Sequence, residues 1–249
     1  MEQNVPVVRG EEEFSSKMDI KILERRENSV KFVIAGAKQR FVNALRRTMI
    51  ADVPKLAIDE VNIHENTSLL YDEQLALRLA LLPLKIERKT ENYNYNYYGH
   101  DDQILMTLKA ISPEREGYTL VYSKELISSD PSVAVAFENI PIVKLISTER
   151  EVGGRRSVTR QRIVLEAIAK LGRGRDHAKW QPVTVCSYRD IDMPDEDEGG
   201  DGAPRKNKTD FLFTVESDGA LPVDMIIEEA ARIMRKKCNS LLDELNEMN

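Results

Sequence analysis

From Pro222 onward the chain carries the pattern that most restricts what it can fold into. Ile227, Ala230, Ala231, Met234, Cys238, Leu241, Leu242 and Leu245 recur at spacings of three and four residues, which is the period of a helix with one apolar face. Pro222 stands at or near the first turn, where a missing N–H costs least. About 26 residues of helix extend roughly 39 Å. A small domain does not need a helix of that length to close its own core. The spacing therefore predicts that part of the stripe is buried against another chain, with packing on its own domain alone as the alternative.

The remaining pattern is mixed. Met18 to Leu23 and Val30 to Ile34 are short β-type runs joined by a polar segment, as in a hairpin with a longer loop. From Gln39 to Ala51, Phe41, Leu45, Thr48 and Met49 fall on one side of a helix and Arg40, Asn43 and Arg47 on another, and Pro54 ends it. Leu56 to Ile63 reads as a strand. Asp72 is expected to cap a second helix striped by Leu75, Leu79 and Leu82 and stopped at Pro83. Further strand-like runs follow at Ile104 to Ile111, Tyr118 to Tyr122, Ile142 to Ile146, Ile163 to Ala169, Val183 to Tyr188 and Phe211 to Val215. The class this predicts is α+β with a mainly β middle.

Two segments depart from that pattern. Between Asp190 and Gly202 lie seven acidic residues and three glycines, the composition of a mobile linker. Arg150 to Lys179 holds nine basic residues against three acidic ones in a chain whose net charge is -6. Such a patch can bind a nucleic-acid backbone, meet an acidic protein surface, or simply be solvated. Within it, Trp180, the single tryptophan, is flanked by His177, Lys179 and Pro182, a combination typical of interface anchors. The alternative is that Trp180 plugs the middle domain's core. The tyrosines from Tyr93 to Tyr98 can stack on bases or form an exposed loop.

Positions 1–17 are polar and acidic and are expected to be flexible, and no apolar run is long enough to span a bilayer. With only Cys186 and Cys238 present, neither a disulfide framework nor a cysteine-bound metal is supported, and a reducing cytoplasm fits best. His64, His100 and His177 carry no catalytic context, and Gly153, Gly154, Gly172 and Gly174 lack the arrangement of a phosphate-binding loop. The carboxylates from Asp195 to Glu198 have no rigid, apolar surroundings to hold a metal. No catalytic, cofactor-binding or metal-binding residue is expected in this chain.

Five ordered segments carry a family resemblance. FVNALRRTMIADVPKLAIDEVNIHENTSLLYDEQLALRLALLPL, from Phe41 to Leu84, resembles the α-type motif of RNA polymerase assembly subunits, with NALRR at Asn43 to Arg47. EGYTLVYSKELISSDP, IPIVKL, GRGRDHAKWQPV and FLFTVESDGALP follow in family order. They are similar to the D-type assembly subunits of archaeal RNA polymerases and to the third-largest subunit of eukaryotic polymerase II. The resemblance covers the chain from Met18 onward.

It implies a discontinuous α/β dimerisation domain, 18–85 plus 209–249, an inserted mainly β domain over 86–189, and an acidic linker at 190–208. The implied function is that of a non-catalytic assembly subunit, enzymatic only as part of a DNA-directed RNA polymerase. It would pair with the smaller subunit L through Phe41, Leu45, Met49, Ile227, Met234, Cys238, Leu241 and Leu245. Arg46 and Arg47 would lie near the contact with the second-largest catalytic subunit, and His177, Lys179 and Trp180 would form a further contact surface facing that subunit or the small zinc-bearing subunits. Some relatives carry an iron–sulfur domain where this chain has the linker. Two cysteines cannot supply four ligands, so no cluster is expected here. A nucleic-acid-binding module using the basic patch at 150–179 is the competing reading.

Overall fold

The computed structural model describes residues 18–86, 103–152, 155–191 and 210–248. Alternation builds the first sheet. In β2 (Ser29–Ala35) Val30, Phe32 and Ile34 face inward, and in β13 (Asp210–Ser217) Phe211, Phe213 and Val215 do the same. The two strands pair antiparallel in the register Val30↔Val215, Phe32↔Phe213 and Ile34↔Phe211, which stacks the rings of Phe32 and Phe213 at 5.2 Å. β1 (Asp19–Arg25) and β12 (Val183–Ile191) complete a sheet of order β1-β2-β13-β12. Helices α1 (Gln39–Ala51) and α3 (Val223–Glu247) close its inner face with Val42, Leu45, Met49, Val223, Ile226 and Ala230.

A second core forms on β3 (Pro54–Asn66), α2 (Asp72–Ala80), β4 (Leu84–Ile86), β5 (Ile104–Ile111), β6 (Gly117–Tyr122), β7 (Ile127–Ser128), β8 (Val133–Val135), β9 (Pro141–Val152), β10 (Arg155–Arg160) and β11 (Arg162–Arg173). Its main sheet runs β3-β11-β5-β7, beside a three-stranded β10-β9-β6 sheet and a short β4-β8 pair. Leu75 and Leu79 of α2 are fully buried in one core with Met106, Leu108, Leu145 and Leu165. The whole is α+β and strand-rich, with three α-helices among the described residues.

These cores divide the chain at different points from the expected ones. β3, α2 and most of β4 fall before position 86, yet they belong to the second lobe, because β3 pairs along its length with β11, from Asn66↔Ile163 to Pro54↔Arg173. β12 begins well before 190 yet joins the first sheet through β13, and it continues through Asp190 and Ile191, two residues into the expected linker. Hydrophobic period fixes which face of a strand is buried, and is silent on which sheet receives it. Asp72 also differs from expectation. Tyr71 occupies the N-cap, and Asp72 lies in the first turn, where its carboxylate suits the helix dipole and accepts from Asn66 Nδ2 at 2.7 Å.

The chain crosses between lobes after Val53 and again at Pro182. Both crossings meet one buried ion pair. Lys55, at the start of β3, pairs with Asp218, which follows β13, and donates to the Gln181 carbonyl at 3.0 Å. The Asp218 N–H in turn donates to the Pro182 carbonyl. Next to it Gly219 has φ +93°, and a Cβ there would lie 2.6 Å from the Phe137 ring of the second lobe. Only glycine serves both the backbone conformation and the close approach.

Candidate pairing interface

The two halves of α3 have different surroundings. Val223, Ile226 and Ala230 seal the first core, and Ile227, Ile233 and Met234 pack partly buried against it. From Arg235 to Met248 every residue is exposed, a projection of roughly 21 Å. The apolar stripe does not stop where the cover does. Leu241 is 58% exposed, Leu242 57% and Leu245 45%, with Cys238 also on the surface.

A second exposed strip adjoins the same core. Ile20 pairs with Ile34 and Ile22 with Phe32, so in an antiparallel ladder both point to the face that α1 and α3 cover elsewhere. Ile34 and Phe32 are buried, whereas Ile20 and Ile22 remain 60% and 56% exposed. The helix layer ends before it reaches β1. The sequence alone assigns no interface role to these residues. Their alternation marks a strand, but the missing cover is a property of the assembled sheet.

The residues expected at the pairing surface therefore separate. Cys238, Leu241 and Leu245 face outward on the projecting helix, Phe41 is exposed on α1, and Ile227 and Met234 lie at the edge of the core. Leu45 and Met49 do not face outward. They are buried among Phe213, Val215 and Ile226 of their own core, because α1 turns its stripe onto the sheet and leaves only its N-terminal Phe41 uncovered.

The second expected set, on NALRR and GRGRDHAKW, is held together by the end of α1. The Arg175 N–H donates to the Ala51 carbonyl at 3.0 Å, and a Cβ on Gly174 would collide with the Ile50 carbonyl oxygen. Gly172 seats the indole of Trp180, since a Cβ there would overlap Cε2, and Trp180 Nε1 donates to the Lys170 carbonyl at 3.1 Å. Lys179 stands 4.4 Å over that ring and pairs with Asp59 at 2.6 Å. The Lys179 hydrogen bond, helped by Lys170, holds the Asp59 carboxyl below its ordinary value against the opposing effect of burial. His177 Nδ1 accepts from the Lys179 N–H.

Thus Trp180 and Lys179 are committed within the chain, clamping the loop onto β3 and β11. Arg47 and His177 are exposed, and Arg46 is half-buried with its guanidinium on Asn43 Oδ1.

The basic segment is also largely neutralised. Arg156 pairs with Glu149, Arg160 with Glu114, Arg162 with Glu65, Lys170 with Asp59 and Glu60, and Arg175 with Asp52. These neighbouring carboxylates lower the net positive charge that the segment presents to a phosphate backbone. The tyrosines at 93–98, His100 and residues 192–208 lie outside the described residues. Among the described residues no group of three or more His, Cys, Asp or Glu is placed to hold a metal, and no helix is long and apolar enough to cross a membrane. Cys186 is half-buried, and burial pushes its thiol up to about 11, far from a reactive thiolate.

A two-lobed framework with an outward-facing apolar surface on one lobe is a protein-pairing scaffold. The chain belongs to the family of the RNA polymerase Rpb3/Rpb11 dimerisation domain, whose sequence model matches residues 31–238. It is similar to the DNA-directed RNA polymerase subunit Rpo3 of Pyrococcus furiosus, at 34% identity over 93% of this chain and 98% of the relative. The Rpo3 of Methanosarcina acetivorans is likewise 34% identical, over 93% and 99%, and that of Thermococcus kodakarensis 35% over 93% and 99%. These alignments run over 274, 281 and 275 positions against 249 residues here, so the relatives carry insertions relative to this chain.

Proposed function

We propose that this chain is a non-catalytic assembly subunit of an archaeal DNA-dependent RNA polymerase, pairing with the smaller subunit L to form the platform on which the large catalytic subunits assemble. The observation that carries this reading is the continuity of α3. One apolar stripe seals the chain's own core in its first half and stands exposed in its second. Phe41, Ile20 and Ile22 are further exposed apolar side chains on the same lobe. Apolar area of that extent suits a permanent interface.

The first lobe serves as the dimerisation domain and the second as the inserted one. Arg46 and Arg47 offer the second-largest catalytic subunit a polar contact, and His177 offers one to that subunit or to the small zinc-bearing subunits, while Lys179 and Trp180 hold its loop in place. Nucleotide transfer takes place on other chains of the complex, in the cytoplasm. An iron–sulfur cluster does not fit a chain with two cysteines.

Co-expression with subunit L tests the reading. A stable 1:1 complex is expected, and Leu241→Asp is expected to abolish it while both lobes stay folded, since Leu241 takes no part in either core. Undiminished pairing of that variant in a pull-down would refute the proposed surface, and a chain with no affinity for subunit L would refute the function.

A further inference from the structure

The three-stranded sheet β10-β9-β6 turns one face to the second core and leaves the other open. Val121, Val143, Leu145 and Ser147 are buried, so alternation points Tyr118, Leu120, Lys144, Ile146, Thr148 and Arg150 outward. Tyr118 lies opposite Ile146, and Leu120 opposite Lys144. Tyr118 is 59% exposed, and Lys144 Nζ stands 4.0 Å from the centroid of its ring. Arg150 follows four residues beyond Ile146, about 13 Å along β9.

The charge on this face is uncompensated. Glu149 and Glu151 alternate to the opposite side, where Glu149 pairs with Arg156. Among the described residues neither Lys144 nor Arg150 has a carboxylate partner, unlike Arg156, Arg160, Arg162 and Lys170.

We infer that this face binds single-stranded RNA, with one base stacked on Tyr118 and the neighbouring phosphates on Lys144 and Arg150. An exposed ring set between unpaired cations matches the alternation of base and phosphate along a single strand. An acidic peptide would use the cations and leave the ring unmatched, and a duplex keeps its bases stacked away from such a ring. The choice of RNA over single-stranded DNA rests on the proposed function, which places the chain in a complex that releases RNA. The face itself is independent of that reading, because Tyr118, Lys144 and Arg150 all belong to the second lobe and not to the pairing surface on α3.

Fluorescence anisotropy of the full chain in its complex with subunit L tests the inference, with a labelled RNA octamer of adenine and cytosine only, which cannot pair with itself. Binding is expected to weaken as salt rises, with a log–log slope of about −1.4 for two phosphates on a single strand. Lys144→Gln is expected to halve that slope. Tyr118→Ala is expected to weaken binding by about 5- to 150-fold, the range of one base–aromatic stack, whereas Tyr118→Phe keeps the ring and binds as the parent does. Tyr118 lies outside the core, so both variants retain the fold, which circular dichroism checks.

An octamer that does not bind, or that binds Tyr118→Ala as tightly as the parent, overturns the inference. Tighter binding of a DNA octamer of the same sequence overturns the choice of RNA. If the octamer does not bind and Tyr118→Ala instead weakens assembly with the large subunits, the face is a protein contact and the inference falls. Failure of RNA binding in an intact 1:1 complex leaves the proposed function standing. RNA binding by a full chain that does not pair with subunit L keeps this face and removes that function.

Discussion

Lys55→Met removes the cation at the centre of the clamp between the lobes. Lys55 and Asp218 have side chains only 6% and 17% exposed, so their attraction is little screened by solvent. The ammonium also satisfies the Gln181 carbonyl. Methionine keeps most of the buried stem and removes the charge, leaving Asp218 shielded from water without its cation. Breaking one partner of a buried pair costs about 3–5 kcal/mol. For a protein of this size each kcal/mol moves the melting temperature by about 2–4 °C, so a fall of about 6–20 °C is expected in the complex with subunit L. Because the pair sits where the chain crosses between lobes and away from the projecting half of α3, the complex itself should still form. Adding Asp218→Asn retains an acceptor for the Ala220 N–H and removes the stranded charge, so the double variant should recover part of the loss. Thermal unfolding followed by circular dichroism measures both. A Lys55→Met variant within about 1 kcal/mol of the parent, as expected of a surface pair, or a strictly additive double variant, would refute the clamp.

Acid provides another test, read by the single tryptophan. The Asp59 carboxyl is held below its ordinary value of 3.8, chiefly by Lys179, so the stability it adds is fully present above that value and is lost as pH falls through the lower, folded one. Trp180 emission should therefore shift in a transition below pH 3.8, and Asp59→Asn should destabilise the loop already at neutral pH, by about 1–3 kcal/mol. An acid transition unchanged in that variant would exclude Asp59 as its source. Thiol labelling separates the two cysteines. Cys238 is exposed and should react in mildly alkaline buffer, while Cys186, with its thiol pushed up to about 11, should not. Complex formation with subunit L should protect Cys238, and labelling at an undiminished rate would place the interface elsewhere.

The elements themselves are legible because each carries its own period. Val30, Phe32 and Ile34 alternate, Phe211, Phe213 and Val215 alternate, and α3 repeats every three to four residues, as the structure confirms. What local pattern does not express is allocation. Nothing in Val183–Ile191 marks it as an edge strand of the first sheet, and nothing in Pro54–Asn66 says that its partner is β11, far along the chain. The same gap explains the interface residues. Phe41, Leu45 and Met49 share one side of α1, yet only Phe41 is uncovered, because that outcome depends on where β13 and α3 land. Trp180 shows the converse. A tryptophan among charged residues resembles an exposed anchor, but Gly172 opens a seat for it, and only the fold brings the two together.

The division of α3 into a packed and a projecting half also bears on how tightly it can bind. A helix of about 14 residues in isolation is marginal in water, so the exposed segment would fray if it were a separate tail. Here it continues a helix whose first turns are fixed by Val223, Ile226 and Ala230 in the core, and Lys237 ties the start of the projection to Asp52 at the end of α1. The nucleation cost is thus met by the folded lobe before any partner arrives. A partner then meets a formed surface and need not supply the free energy of ordering it, which is the main way a modest contact area reaches high affinity. The same rigidity keeps Leu241, Leu242 and Leu245 presented to solvent whenever no partner covers them. A chain built in this way depends on a partner for solubility more than for folding.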